Sequence, residues 1–380
     1  MSENKEEEKK APRKIIRFSE ILKIDFDKPV PFRQQFAVMC TILIISCLLF
    51  TVIYVQQLFS GGVEVTNGSE ESEISAASTE ESETSEENDS SKSEETSQAS
   101  GDNKNVVKPL KVETASEELL GEMTFVIKDY AELHDGSLIL VNKDYSCRYD
   151  GENVDPIFST KSSSYVIFDN SVSLEQNAAS SLNYLMDDFA EKYGDTDIMI
   201  ACGYRSYEDQ VGLYNGEVQN VGSSEADKWV APPGYSEHQT GFALDLDLNA
   251  EGINGINFDG NGNYSWLTEH CSEYGFVIRY IQGKEDITGF SYEPWHLRYV
   301  GIPHSLYITQ SGIVLEEYIE FVHKYDVSKP LLLEKDEENR WCVYYVPAGD
   351  NDEINVPVPV GYEYEISGDN YSGFIVTVKL

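Results

Sequence analysis

Apolar and polar positions change rhythm three times along this chain. Phe36 to Val55 read FAVMCTILIISCLLFTVIYV, 20 residues without a charge, enough to span a hydrocarbon core as a helix. Residues 60–105 then carry almost no aliphatic and no aromatic side chain and are rich in Ser, Thr and Glu. Such a segment cannot bury enough apolar surface to offset its ordering entropy, and its like charges keep it extended. From about residue 107 onward apolar residues recur with the periods of folded elements.

Those periods predict particular elements. Leu138 to Asn142 reads as a strand, Asp197 to Cys202 as a short buried strand, and Phe242 to Leu248 (FALDLDL) as a half-buried strand alternating apolar and acidic. Leu174 to Tyr193 places apolar residues at 182, 185, 186, 189 and 193, a helical stripe. Ser206 opens a second helix with Glu208 and Asp209 in its first turn, where acids suit the helix dipole. Residues 249–263 form an Asn/Gly-rich loop. Trp266 to Tyr274 follows as helix, then Phe276 to Tyr280 and Trp295 to Val300 as strands. Ile302 to Tyr325 reads as two helices broken near Gly312, and beyond Pro330 short β runs take over. Strands and helices alternate without a regular βαβ rhythm, which predicts an α+β fold, a small antiparallel sheet flanked by helices. The chain divides into a tail at 1–35, an apolar span at 36–58, a linker at 59–106, a main folded unit at 107–328 with its motif core at 134–303, and a small β module at 329–380.

Charge orients this layout. Lys9, Lys10, Arg13, Lys14, Arg17, Lys23, Lys28 and Arg33 precede the apolar span and an acidic stretch follows it. The positive-inside rule then predicts a single-pass membrane protein, its N-terminus in the cytoplasm and everything after residue 58 outside. A cleaved signal peptide is the competing reading; the long n-region, the long apolar run and the lack of an A-x-A-like site weigh against it. The whole chain holds 28 Lys+Arg against 67 Asp+Glu, a net charge of -39. That average field excludes nucleic acid as a partner except through a local basic patch. No obligate protein partner is evident. Cys40 and Cys47 lie in the span. Cys147, Cys202, Cys271 and Cys342 are scattered without a CxxC pair, so a cysteine-type zinc site is not expected. Whether these four form disulfides or stay isolated thiols is left open.

The densest chemical signal is Ser236-Glu237-His238-Gln239-Thr240-Gly241-Phe242-Ala243-Leu244-Asp245, with Glu293-Pro294-Trp295-His296 further on. A catalytic zinc takes three protein ligands from His, Asp or Glu and keeps one position open. His238 can supply one, Asp245 on the adjacent strand a second, and His296 on a separate strand the third. Glu293 lies three residues before His296; in a straight strand the two would face opposite ways, and Pro294 breaks the ladder so that Glu293 can sit on a loop above the ion. A carboxylate there can take a proton from water and pass it to a leaving amine. Arg205, between a buried strand and a helix start, suits a developing oxyanion. Each short pattern alone carries real false-positive risk. Asp247 to Gly252 resembles the start of a calcium loop, but its twelfth position is Phe258 rather than Glu. His134, His270, His304 and His323 are read as surface or core residues.

Taken together, these segments resemble the VanY-type D-alanyl-D-alanine carboxypeptidases and the related L,D-carboxypeptidases. Their pattern is S-x-H-x-x-G-x-A-x-D followed by E-x-W-H, and Ser236, His238, Gly241, Ala243, Asp245, Glu293, Trp295 and His296 fill every fixed position. Gly203-Tyr204-Arg205-Ser206-Tyr207 with Gln210, Gly275-Phe276 with Arg279-Tyr280, and Gly283 to Gly289 add to the likeness, which covers roughly 134–303. The resemblance implies a hedgehog/DD-peptidase-like fold and Zn²⁺ on His238, Asp245 and His296. It implies Glu293 as general base and then acid, and Arg205 at the substrate carbonyl. Ser236 and Gln210 would bind the terminal D-alanine, with Tyr204 and Trp295 as further substrate contacts. The implied substrate is the peptidoglycan stem peptide, losing its C-terminal D-Ala. L,D-carboxypeptidase action on tetrapeptide stems and D,D-dipeptidase action remain as alternatives within the enzyme class. A non-catalytic module that binds wall peptides is the alternative of a different class, and it would require a missing ligand or base.

Overall fold

The computed structural model describes residues 109–149, 151, 153–194, 197–249 and 258–380. The expected tail, apolar span and acidic linker therefore lie outside the described residues, as does 250–257 of the Asn/Gly-rich loop. Among the described residues no helix is long and apolar enough to cross a membrane.

The first sheet carries the motif residues. Its strands are β4 (Val166–Ile167), β6 (Ile198–Cys202), β7 (Ala243–Leu248), β8 (Phe276–Tyr280) and β9 (Glu293–Tyr299), in the order β4-β6-β7-β9-β8. The β4–β6 pair is parallel and the other pairs are antiparallel. A short ribbon, β3 (Val154–Pro156) with β5 (Ser173–Glu175), leads into helix α1 (Gln176–Tyr193), and helix α2 (Tyr207–Val221) follows β6. Glu175 caps that helix by accepting from the amides of Asn177 and Ala178, two of the donors a helix start leaves unpaired. The predicted stripe of α1 buries Leu182, Leu185, Met186 and Phe189 against Ile198, Ile200, Leu244, Leu246 and Leu297 of the sheet. Each such burial stabilises by roughly 2 kcal/mol. Tyr193, expected on the stripe, lies at the helix end and is exposed.

The second sheet is built from both ends of the described chain. Its strands are β1 (Lys111–Thr114), β10 (Leu331–Glu334), β11 (Arg340–Pro347), β13 (Glu363–Gly368) and β14 (Gly373–Lys379), ordered β1-β10-β11-β14-β13 and antiparallel throughout. Similarly, β2 (Met123–Asp129) pairs with β12 (Glu353–Pro359). The C-terminal β runs read from the sequence thus pair with residues 111–129, a stretch whose strands the periodicity did not single out. The predicted break at Gly312 is present: α3 (His304–Ser311) ends there in a left-handed conformation, and α4 (Leu315–Val322) follows. Leu315, Tyr318, Ile319 and Val322 of α4 share one apolar cluster with Val277 of the first sheet and with Leu331, Leu333, Val343 and Ile375 of the second.

One expected strand is not a strand. Leu138 to Val141 is fully buried yet irregular. Its backbone is satisfied mainly from side chains: the amide of Leu138 donates to Ser367 Oγ, Arg298 Nη2 donates to the Ile139 carbonyl, and Asn370 Nδ2 donates to the Leu140 carbonyl. Buried backbone groups need partners, and here side chains supply what a ladder would. An apolar run reports burial and leaves the pairing mode open.

Candidate active site

The strand register brings the motif together. Asp245 on β7 lies directly across from His296 on β9, so both side chains leave the same face. His238 stands on a one-turn 3-10 helix, Glu237–Thr240, that precedes β7. Gly241 closes that turn at φ +76, and a Cβ there would collide with Val154, so the motif glycine is needed for conformation and for space.

Hydrogen bonds fix which nitrogens are free. His238 Nδ1 donates to the carbonyl of Gly203 at 2.7 Å, which leaves Nε2 facing Asp245 Oδ2 at 3.2 Å. His296 Nε2 faces Glu237 Oε2 at 3.4 Å, which leaves Nδ1 facing Asp245 Oδ1 at 3.0 Å. The two rings stand perpendicular, with centroids 5.0 Å apart. Two imidazole nitrogens thus converge on the two oxygens of one carboxylate, each ring held from behind by an acceptor. Burial discourages charge on His238, yet Cys202 and Asp245 beside it push its pKa up to about 10. This donor set attracts positive charge, and its chemistry fits a zinc ion with His238, Asp245 and His296 as ligands.

Behind His296 lies a buried ionic network that the motif reading passes over. Glu237 Oε1 accepts from Arg279 Nε and Arg298 Nη1, each at 2.8 Å, and Arg279 also forks onto both oxygens of Glu316 at 2.9 and 2.6 Å. Burial opposes ionisation of Glu237, but Arg279, Arg298 and His296 hold its carboxyl far below the usual carboxylate range. The sequence signal was present: Glu237 sits beside His238, and Arg279 lies in one of the matched segments.

A cleft of about 270 Å³ opens over these groups. Arg205, Gln210, Ser236, Glu293 and Trp295 line it together with His238, Asp245 and His296, and Leu213, Trp229, Ala231 and Phe290 supply apolar walls that the motifs did not mark. Glu293 is the first residue of β9, opposite Tyr280, rather than on a loop. The register shifts between the Ile278–Leu297 and Tyr280–Glu293 pairs, so β9 bulges there, and the bulge lets Glu293 and His296 line one cleft despite their odd spacing. Burial pushes the Glu293 carboxyl up to about 7. Arg205 Nη1 donates to Gln210 Oε1 at 2.9 Å, and Gln210 Nε2 donates to the Ala231 carbonyl at 2.7 Å. Gln210 thereby steadies Arg205 as well as facing the cleft. Tyr204 is not among the lining residues; its amide donates to Ser173 and its ring lies beside Gly151. Among the described residues, Cys147, Cys202, Cys271 and Cys342 are not joined in disulfides.

Fold and site together bring two histidines, one aspartate and a carboxyl raised by burial into one cleft of an α+β unit. Residues 171–302 match the family model described as VanY: D-alanyl-D-alanine carboxypeptidase. A D-alanyl-D-alanine carboxypeptidase of Enterococcus faecium is 32% identical over 251 residues, which is 65% of this chain and 76% of that protein. The bifunctional D-Ala-D-Ala dipeptidase and D-Ala-D-Ala carboxypeptidase VanXYC of Enterococcus gallinarum is 38% identical over 129 residues, 33% of this chain and 68% of the relative. Among solved structures, the vancomycin resistance D,D-dipeptidase VanXYg in complex with a D-Ala-D-Ala phosphinate analog superposes with a TM-score of 0.63 at 35% identity, covering 68% of this chain and 100% of that one. The chain belongs to the VanY D-alanyl-D-alanine carboxypeptidase family, and it is an enzyme, a hydrolase of peptide bonds.

Proposed function

We propose that this chain removes the C-terminal D-alanine from peptidoglycan stem peptides, using Zn²⁺ held by His238, Asp245 and His296. The observation that carries this is the convergence of His238 Nε2 and His296 Nδ1 on Asp245, beneath a cleft that also holds Glu293. When bound, the ion would activate water and polarise the scissile carbonyl. Glu293 takes the water proton and delivers it to the departing amine; a carboxyl raised to about 7 is suited to both steps. Arg205, braced by Gln210, stabilises the oxyanion that develops on the carbonyl. Ser236, Gln210 and Trp295 shape the end of the cleft that takes the terminal residue. No ligand or base is missing, which speaks against a purely binding role.

A D,D-dipeptidase is the second reading. It is favoured by the likeness to a whole D,D-dipeptidase chain, and the bifunctional relative shows that one protein can combine both activities. The sequence further supports an enzyme tethered outside the cell: the apolar run 36–55 follows a basic flank and precedes an acidic linker.

The test is D-alanine release from a pentapeptide ending in D-Ala-D-Ala, from a tetrapeptide ending in one D-Ala, and from free D-Ala-D-Ala, each with and without chelator. Chelator-sensitive release from the pentapeptide is expected. Release only from the tetrapeptide would make it an L,D-enzyme, release only from the free dipeptide a dipeptidase, and undiminished release after complete metal removal would sink the zinc mechanism.

A further inference from the structure

Cys202 ends β6 just beyond an irregularity in the ladder. Ile198 pairs with Leu248 and Ile200 with Leu246, but after a register shift Cys202 pairs with Asp245. In an unbroken strand Cys202 would share the face of Ile198 and Ile200, which is the apolar core. One extra residue in the strand turns it to the opposite face, the one that carries Asp245. There its Sγ, a ring nitrogen of His238 and an oxygen of Asp245 all lie within 4.8 Å of one another. Arg205 Nη2 donates to the same sulfur at 3.0 Å, placing a permanent positive charge beside it.

Donor atoms that share one tetrahedral zinc stand ~3.5 Å apart, given the usual Zn–S and Zn–N lengths. Small side-chain shifts would therefore bring the thiol onto the same ion as His238 and Asp245. We propose that Cys202 is a thiolate ligand that this site offers to thiophilic cations, sharing His238 and Asp245 with His296 and taking the position that a catalytic zinc keeps open for water. The inference rests on the zinc peptidase reading for the roles of His238 and Asp245. It adds a soft donor to a site otherwise made of nitrogen and oxygen, and soft donors bias a site toward Cd²⁺ and Zn²⁺ over Mn²⁺ and Mg²⁺. As the sulfur–metal bond forms, the thiol proton leaves to solvent. Arg205 hydrogen-bonds the sulfur and lines the substrate cleft, so the identity of the bound cation is felt by the residue assigned to the oxyanion.

The experiment uses the full chain, stripped of metal and titrated with Cd²⁺. Sulfur-to-cadmium charge-transfer absorption is followed in the ultraviolet, and affinity is measured by competition with a chelator. The sequence has six cysteines, and parent and Cys202→Ser variant share the other five. The band should rise with the first equivalent of Cd²⁺ in the parent and vanish in Cys202→Ser. That variant should bind Cd²⁺ at least about tenfold more weakly, with Mn²⁺ affinity changed less than about twofold. A first equivalent that binds without the band, or a band that survives in Cys202→Ser or in His238→Ala, would overturn the proposal. D-alanine release by the zinc-loaded parent separates the two readings. Hydrolysis with no cadmium–sulfur band removes the thiolate ligand and leaves the peptidase standing; the band without hydrolysis does the reverse.

Discussion

The two sheets of this protein use burial in opposite ways. In the second sheet successive residues of a strand enter different apolar clusters. Leu331 and Leu333 of β10, Val343 of β11 and Ile375 of β14 pack into one; Leu332, Cys342, Tyr344, Phe374, Val376 and Val378 pack into another. Both faces are covered, so these strands read as nearly continuous apolar runs. In the first sheet β7 alternates. Leu244 and Leu246 enter the core, while Asp245 and Asp247 leave from the other face, also buried. One face of that sheet is given to ionisable groups that must satisfy one another. The contrast implies that damage to the first sheet should be read in chemistry and metal binding, and damage to the second in stability alone.

The largest expected effect is on turnover. Glu293→Gln should lower kcat by about three to four orders of magnitude, the upper range for loss of a positioned general acid–base group. Zinc content should be unchanged. Because burial already disfavours the charged Glu293, the variant should melt at the same temperature as the parent or higher at pH 8. Near-normal turnover with metal bound would remove Glu293 from the mechanism. The same carboxyl sets a pH profile: kcat/KM should rise as Glu293 loses its proton, at about pH 7 or below once a cation sits nearby.

Next in size is the ionic network beneath the site. Glu237→Ala strands Arg279 and Arg298, both fully buried, without their shared acceptor. Breaking a buried pair in this way costs about 3–5 kcal/mol. It also frees the His296 ring, which should weaken zinc by about tenfold to a hundredfold. Thermal melts with and without zinc, plus a competition assay, measure both. Loss of stability with unchanged zinc affinity would make Glu237 a structural residue only. Leu333→Ala in the second sheet is the control for the comparison. It should cost about 2–5 kcal/mol as a cavity, with kcat and zinc affinity within about twofold of the parent at a temperature where the variant is folded. A large change in zinc affinity there would mean that the two sheets are coupled through the cluster around α4.

The sequence made these two regions legible to different degrees. Alternation in FALDLDL marked β7 correctly because its two faces differ in polarity. The stripe of α1 was visible for the same reason. Leu138 to Val141 misled because burial without a ladder leaves the same apolar signature as a strand. Strand β1 (KVET) was missed because all four of its residues are exposed and its identity comes from pairing with β10, a contact more than 200 positions away. The proposed metal set could be picked out because His, Asp and His stand at motif spacing. Glu237, Arg279 and Arg298 could not be joined from spacing, since only the fold brings residues 237, 279 and 298 onto one carboxylate. Cys202 was hidden by a bulge: counted as a regular strand, it belongs to the core face.

The smallest expected effect sharpens the comparison through pH. His304 on α3 is buried beside the second sheet, with Nδ1 2.6 Å from Tyr318 Oη and Nε2 2.9 Å from Thr377 Oγ1. Burial among neutral partners pushes its pKa down to about 3. An unfolded chain protonates this histidine near 6.5, so between about pH 6.5 and 3 the unfolded state holds the extra proton and stability falls as pH falls, by up to roughly 1 kcal/mol per pH unit. In the first sheet the signs reverse. His238, raised to about 10 in the metal-free protein, contributes stability that is full below about 6.5 and is lost as pH rises toward 10. Glu293, raised to about 7, likewise favours the folded state as pH falls through 7, so it opposes His304 over part of the same window. The measurement is therefore a difference: denaturant melts of metal-free parent and His304→Gln at pH 6.5, 6 and 5. The parent should lose stability faster than the variant by about 1 kcal/mol per pH unit over that range. Parallel curves would mean that His304 takes up its proton in the folded state, and that the apolar half of the molecule is more accessible to charge than its packing implies.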